Sequence, residues 1–194
     1  MGTQGRDHRI RSWRVTGDVI VEHSDRVDLS ELSCLTGIDG SLMLQYNEAL
    51  RTLVGLEGLE TLPGSLYLWQ NTALKSATGL ENLRSVDSIV AIGFNHELTG
   101  LEGLRGLETV GEYLQLDYNE QVTSLDGLES LVTIEGSLSL WNHPRLTDLS
   151  RLSALDRIGG TLQLRSNAAL APENAQALCD NVEELAGGCY IDLE

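Results

Sequence analysis

Residues 40–63 read GSLMLQYNEALRTLVGLEGLETLP, and residues 64–87 read GSLYLWQNTALKSATGLENLRSVD. Laid one over the other, they share the pattern G-S-L-x-L-x-x-N-x-x-L-x-x-L-x-G-L-x-x-L-x-x-[LIV]-x. Units beginning at Ser88, Glu112, Gly136 and Gly160 follow in step, each 24 residues on, and a shorter unit of 23 residues starts at Gly17. A register held this long identifies a repeat architecture before any single residue is weighed.

Each part of the unit has a physical task. The L-x-L segment alternates with the period of a strand, so Leu42 and Leu44, or Leu138 and Leu140, share one face. Val90 and Ile92 are the equivalent pair in the fourth unit. The later leucines recur every third residue (Leu50, Leu53, Leu56, Leu59, Leu62), a spacing that suits short extended pieces and bends better than a helix of 3.6 residues per turn. Gly55, Gly79, Gly103 and Gly127 fall at a tight corner, where positive φ or close backbone approach is expected. An Asn column (Asn47, Asn71, Asn95, Asn119, Asn167) follows the first strand. A buried side-chain amide there can bond turn backbone groups in its own and neighbouring coils. Ser24 and His143 occupy the two irregular places, and His143 reads as a replacement for a structural Asn rather than as a ligand or catalytic base.

The expected fold is therefore mainly β: a right-handed parallel β-helix or leucine-rich solenoid of about seven 24-residue coils. One coil cannot bury enough apolar surface to fix its own backbone, so the array is stable only when stacked. The composition agrees. Leucine dominates the apolar residues, aromatics make up only 5% and there is a single Phe, as stacked identical layers require. Three segments are expected: a basic N-terminal arm (1–16), the solenoid repeats (17–171), and a C-terminal capping helix with a terminal strand (172–194). Pro172 suits a first helical turn, Ala175, Leu178, Val182 and Leu185 form one stripe, and Gly187-Gly188 are expected to end the helix. Cys179 and Cys189 can pair and pin this lid. Cys34 stands alone, and the three cysteines offer neither a disulfide scaffold nor a zinc pattern.

Charge narrows the partners. The net charge is −16, yet residues 1–16 hold Arg6, Arg9, Arg11 and Arg14 against Asp7 alone. An acidic body repels phosphate backbones and anionic membrane surfaces, so nucleic acid is not an expected partner. The arm reads as a solvated tail before it reads as a docking site. No stretch has the roughly 18–20 apolar residues of a membrane span, and no signal core is present, so membrane insertion is not expected. The chain then belongs to the cytoplasm, or to a longer exported protein.

The G-S-L-x-L-x-x-N starts and the L-x-x-L-x-G-L-x-x-L-x-x-I continuation, over about residues 17–170, resemble the receptor L-domain family. These are the leucine-rich β-helical modules of insulin-receptor-like and epidermal-growth-factor-receptor-like ectodomains, and similar arrays occur in bacterial surface proteins and lipoproteins. The resemblance implies a right-handed solenoid with ligand-binding or assembly roles and no catalytic residues. The ordinary leucine-rich horseshoe has its Asn two residues before the next Leu. Here the spacing is three (Asn47 to Leu50, Asn71 to Leu74), which favours the L-domain. The dense cysteine pattern of animal receptors is missing.

A binding surface is expected on the first strand of each unit, whose second, fourth and sixth positions point outward. Met43, Tyr67, Ala91, Gln115, Ser139 and Gln163 follow one another in the fourth position. Gln45, Trp69, Gly93, Asp117, Trp141 and Arg165 do so in the sixth, with Tyr113 in the second. The candidate ligand face is Met43, Tyr67, Trp69, Ala91, Gly93, Tyr113, Asp117 and Trp141, with a shallow notch expected at Ala91 and Gly93. Tyr46, Phe94 and Tyr118 are expected to pack at the strand ends. Aromatics with a few polar partners suit a protein or glycan ligand. The leading expectation is a non-catalytic binding module using this face. A structural spacer or assembly subunit working through its ends is the alternative. A polysaccharide-acting enzyme is disfavoured, because Asp117 is the only acid in the central rows and glycosidases use a carboxylate pair. No cofactor, metal site or catalytic residue is expected.

Overall fold

The computed structural model describes residues 12–194. In chain order the first strands are β1 (Trp13–Val15), β2 (Val19–Glu22), β3 (Leu35–Ile38), β4 (Leu42–Gln45), β5 (Thr61–Leu62) and β6 (Leu66–Trp69). Next come β7 (Ser85–Val86), β8 (Val90–Gly93), β9 (Thr109–Val110), β10 (Leu114–Asp117) and β11 (Thr133–Ile134). Then follow β12 (Leu138–Trp141), β13 (Arg157–Ile158), β14 (Leu162–Arg165), the α-helix α1 (Pro172–Asn181), β15 (Glu184–Leu185) and β16 (Cys189–Asp192). Short 3-10 turns occupy Ser30–Leu32, Glu102–Leu104 and Ser150–Leu152.

All strand pairing is parallel. One sheet of eight strands runs β16-β14-β12-β10-β8-β6-β4-β2, and a second of six two-residue strands runs β15-β13-β11-β9-β7-β5. The chain is thus mainly β, compatible with a parallel β-solenoid. The large sheet holds its register without slippage: Leu42 faces Leu66, Leu66 faces Val90, and Val90 faces Leu114. Leucine, valine and isoleucine at the inward strand positions, with the every-third-residue leucines of the return path, make one continuous core.

The corners explain the glycines. Gly55, Gly79 and Gly127 have φ of 112°, 117° and 107°, and a β-carbon on any of them would overlap a carbonyl oxygen one coil back. Gly103 differs in cause: it lies within a 3-10 turn, and only the crowding by the Ala77 carbonyl demands glycine.

The Asn column clips each coil to the one before. Asn71 Nδ2 donates to the Leu44 carbonyl at 2.8 Å, and its Oδ1 accepts the Asn47 backbone N–H at 3.1 Å. Asn95 and Asn119 repeat the arrangement toward Leu68 and Ile92. His143 breaks it. The Asn119 amide lies 3.5 Å from its Nε2, and its buried Nδ1 has no partner among the described residues. Burial pushes this imidazole down to about 4, against smaller upward contributions from Asn167 and Glu120.

Two expectations need correction at the ends. The helix stops at Asn181, not before Gly187: Val182 turns extended, with ψ of 113°. Leu185 leaves the expected helical stripe to pair with Ile158 in the second sheet, so continued parallel pairing wins over one more helical turn. Ala175, Leu178 and Val182 remain buried, and α1 packs against β16 and the 3-10 turn at 150–152. Cys179 and Cys189 are joined as a disulfide, with a Cα–Cα distance of 6.0 Å, and Cys34 is free. At the front, where the arm containing Trp13 and the shortened unit 17–39 are expected to close the array, residues 13–15 are part of the fold. They form a strand beside Leu35–Ile38, and Arg14 pairs with Asp39 at 2.6 Å. Arg6, Arg9 and Arg11 of the expected arm lie outside the described residues.

Candidate binding face

Strand alternation sets the outer face of the large sheet. Its inward residues, such as Leu114 and Leu116, are at most 1% exposed, which turns Gln115 and Asp117 outward. The expected rows are present in register: Met43, Tyr67, Ala91, Gln115 and Ser139 side by side, and Gln45, Trp69, Gly93, Asp117, Trp141 and Arg165 side by side. Tyr113, just before β10, is 51% exposed and Trp141 is 41% exposed. Met43, Tyr67 and Trp69 are half-buried.

The expected notch is filled. A β-carbon on Gly93 would find Trp69 Cε3 and Cη2 at 2.8 Å, so the Trp69 indole lies across the bare glycine. Small size at position 93 makes room for a neighbour's ring rather than for a cleft. Ala91 and Gly93 are accordingly buried, and so is Asp117, at 3% exposure.

The residue after each strand of this sheet except β16 adopts left-handed backbone. His23, Tyr46, Gln70, Phe94, Tyr118, Asn142 and Ser166 all have φ between 51° and 59°. Side chains other than Gly, Asn and Asp rarely take this conformation, at a cost of about 1–2 kcal/mol each. The turn lines up their side chains beside the outward rows. Phe94 stacks on Tyr118 with centroids 4.6 Å apart and planes within 10°. Trp69 meets Phe94 at 5.1 Å, and Trp141 meets Tyr118 at 5.2 Å, both tilted. Tyr46 and Phe94 thus do more than fill strand ends: Phe94 and Tyr118 join two outward tryptophans into one line of rings, while Tyr46 stacks on His23.

Asp117 lies within this line. Its Oδ2 accepts a hydrogen bond from Gln115 Nε2, and its buried Oδ1 has no partner among the described residues. Burial raises the carboxyl above the ordinary carboxylate range, and the bond from Gln115 offsets part of that rise. Its row neighbours are Gly93 and Trp141, so no second carboxylate adjoins it along the row. No group of three or more potential metal ligands occurs among the described residues, and no helix there is long and apolar enough to cross a membrane.

No protein-family model, no curated protein and no solved structure matches this chain.

Proposed function

We propose that this protein is a non-catalytic binding module of receptor L-domain type, a right-handed array of about seven coils covered by α1 at its C-terminal end. Its outer strand face receives a protein or glycan ligand. The observation that carries the reading is the line Trp69, Phe94, Tyr118, Trp141, which gathers rings along one side of a sheet in a chain otherwise poor in aromatics. Rigid aromatic side chains give large contact area at small entropic cost, which is why they concentrate in interfaces. The isolation of Asp117 from a second acid in its row supports binding over glycosidic hydrolysis.

The experiment is a capture assay with paired baits, wild type beside Trp69→Ala/Trp141→Ala, against a native lysate and a glycan array. The reading expects a specific partner held by wild type and lost by the double variant, with unchanged circular dichroism. A partner held equally by both overturns the assignment of the face.

A second reading, an assembly subunit working through its ends, has its own support. The edge strand β16 leaves Tyr190 54% and Ile191 36% exposed beside an unpaired strand edge. It expects self-association that Tyr190→Lys abolishes, measured by sedimentation velocity.

A further inference from the structure

Asp117 is covered from outside. Apart from His143 it is the only buried acid or base among the described residues. Since alternation turns it away from the leucine core, its cover comes from the outer surface. One candidate is the Trp69 indole lying across Gly93; the other is Trp141, paired beside it. A desolvated carboxylate with one unmet oxygen is a cost to the free protein, recovered when a donor of opposite charge arrives.

We infer that Asp117, Trp69 and Trp141 form a receptor site for an arginine side chain in a basic segment of a partner protein. The inference rests on the binding-face reading and narrows it to one ligand chemistry. A guanidinium is planar. It lies flat against an indole while donating to a carboxylate oxygen, so it needs a ring-walled surface and no deep cavity. Gly93, the row neighbour of Asp117, has no side chain of its own, so rotation of the Trp69 ring off it opens a gap one residue wide beside Asp117. The net charge of −16 draws basic segments toward the face from a distance. A neutral sugar would meet the rings but leave the carboxylate's charge unanswered.

The test uses the full chain carrying Trp13→Phe, so that tryptophan emission reports only Trp69 and Trp141. The probe is the peptide (Gly-Ser-Arg)3, titrated beside its citrulline counterpart, which keeps the shape and loses the charge. Saturable binding with a change in tryptophan emission is expected, weakened at least about tenfold by citrulline and equally by Asp117→Asn. Glu97→Gln removes one exposed negative charge elsewhere and is expected to bind like the parent. Absence of binding, equal affinity for the two peptides, unchanged affinity in Asp117→Asn, or an equal loss in Glu97→Gln each overturns the inference. The citrulline comparison needs no variant at Asp117 and stands whatever that substitution does to folding. If a captured partner is lost by Trp69→Ala/Trp141→Ala but kept by Asp117→Asn, the face remains a binding surface and the arginine site alone falls.

Discussion

Replacing His143 by Asn is expected to stabilise the protein, and to do so more as the pH falls. In the folded chain burial holds the imidazole neutral down to about 4, against 6.5 for an ordinary histidine. Between those values the unfolded chain takes up a proton that the folded chain refuses. Stability that is complete above pH 6.5 is therefore lost as the pH drops toward 4, after which the loss levels off. At 1.36 kcal/mol per pH unit the full loss is about 3 kcal/mol, with about 1 kcal/mol gone at pH 6 and about 2 at pH 5. His143→Asn removes this titration. It also restores an amide that can donate to the preceding coil and accept from Asn119, as Asn71 does for Leu44 and Asn47. That exchange relieves the orphaned Nδ1 and is worth about a further 1 kcal/mol at neutral pH. Urea titrations of both proteins at half-unit steps from pH 8 to pH 4 test this. Midpoints should diverge as the pH falls through 6.5. Parallel profiles would show that His143 is solvated or paired in the folded state, and would refute the reasoning.

Further outcomes follow from other columns. Asn71→Ala is expected to cost about 2–4 kcal/mol, because two coils lose bonds and their buried partners are left unmet, read by thermal unfolding. Gly55→Ala is expected to cost more than about 3 kcal/mol, since strain and overlap with the Leu29 carbonyl add. Gly17→Ala, at φ of 100° with open space around it, should cost only about 1–2 kcal/mol in the same assay. Gln70→Asn places at φ of 55° a residue that tolerates it, as Asn142 already does three coils along the same column, and should gain a few tenths of a kcal/mol. Asp117→Asn should raise the melting temperature at pH 7. The raised carboxyl of the parent makes its own contribution to stability fall as pH rises above the usual carboxylate range, and the variant should lack that decline.

What could be read from residues alone was whatever repeats. The L-x-L strands, the corner glycines and the Asn column declared themselves because one side chain answers one geometric demand in coil after coil. The left-handed row did not, because its occupants are His, Tyr, Gln, Phe, Tyr, Asn and Ser, and only Asn142 and His23 have types enriched in such a backbone. The ring line was hidden for the same reason. It joins sixth-position tryptophans to left-handed aromatics of adjacent coils, a diagonal relation that reading along either row misses. A glycine in the sequence suggests vacancy at position 93, although the space it leaves on a sheet is within reach of the strands on both sides. The helix end is not legible from residue types, because Val182 and Leu185 fit a helical stripe and an extended segment equally well, and the second sheet decides between them.

The slip-free register of the large sheet makes distance on this face a counted quantity. Adjacent rungs lie about 4.8 Å apart, so any two outward positions in the same column are separated by whole multiples of that step. Trp69 and Trp141 stand three rungs apart at the backbone. Losing or gaining one complete 24-residue unit between them would change their separation by one rung and leave every other column aligned. Losing a single residue within a strand would turn its outward side chains into the leucine core. The face can thus be lengthened or shortened only in unit increments, like the teeth of a rack, and a partner that fits it must share its pitch.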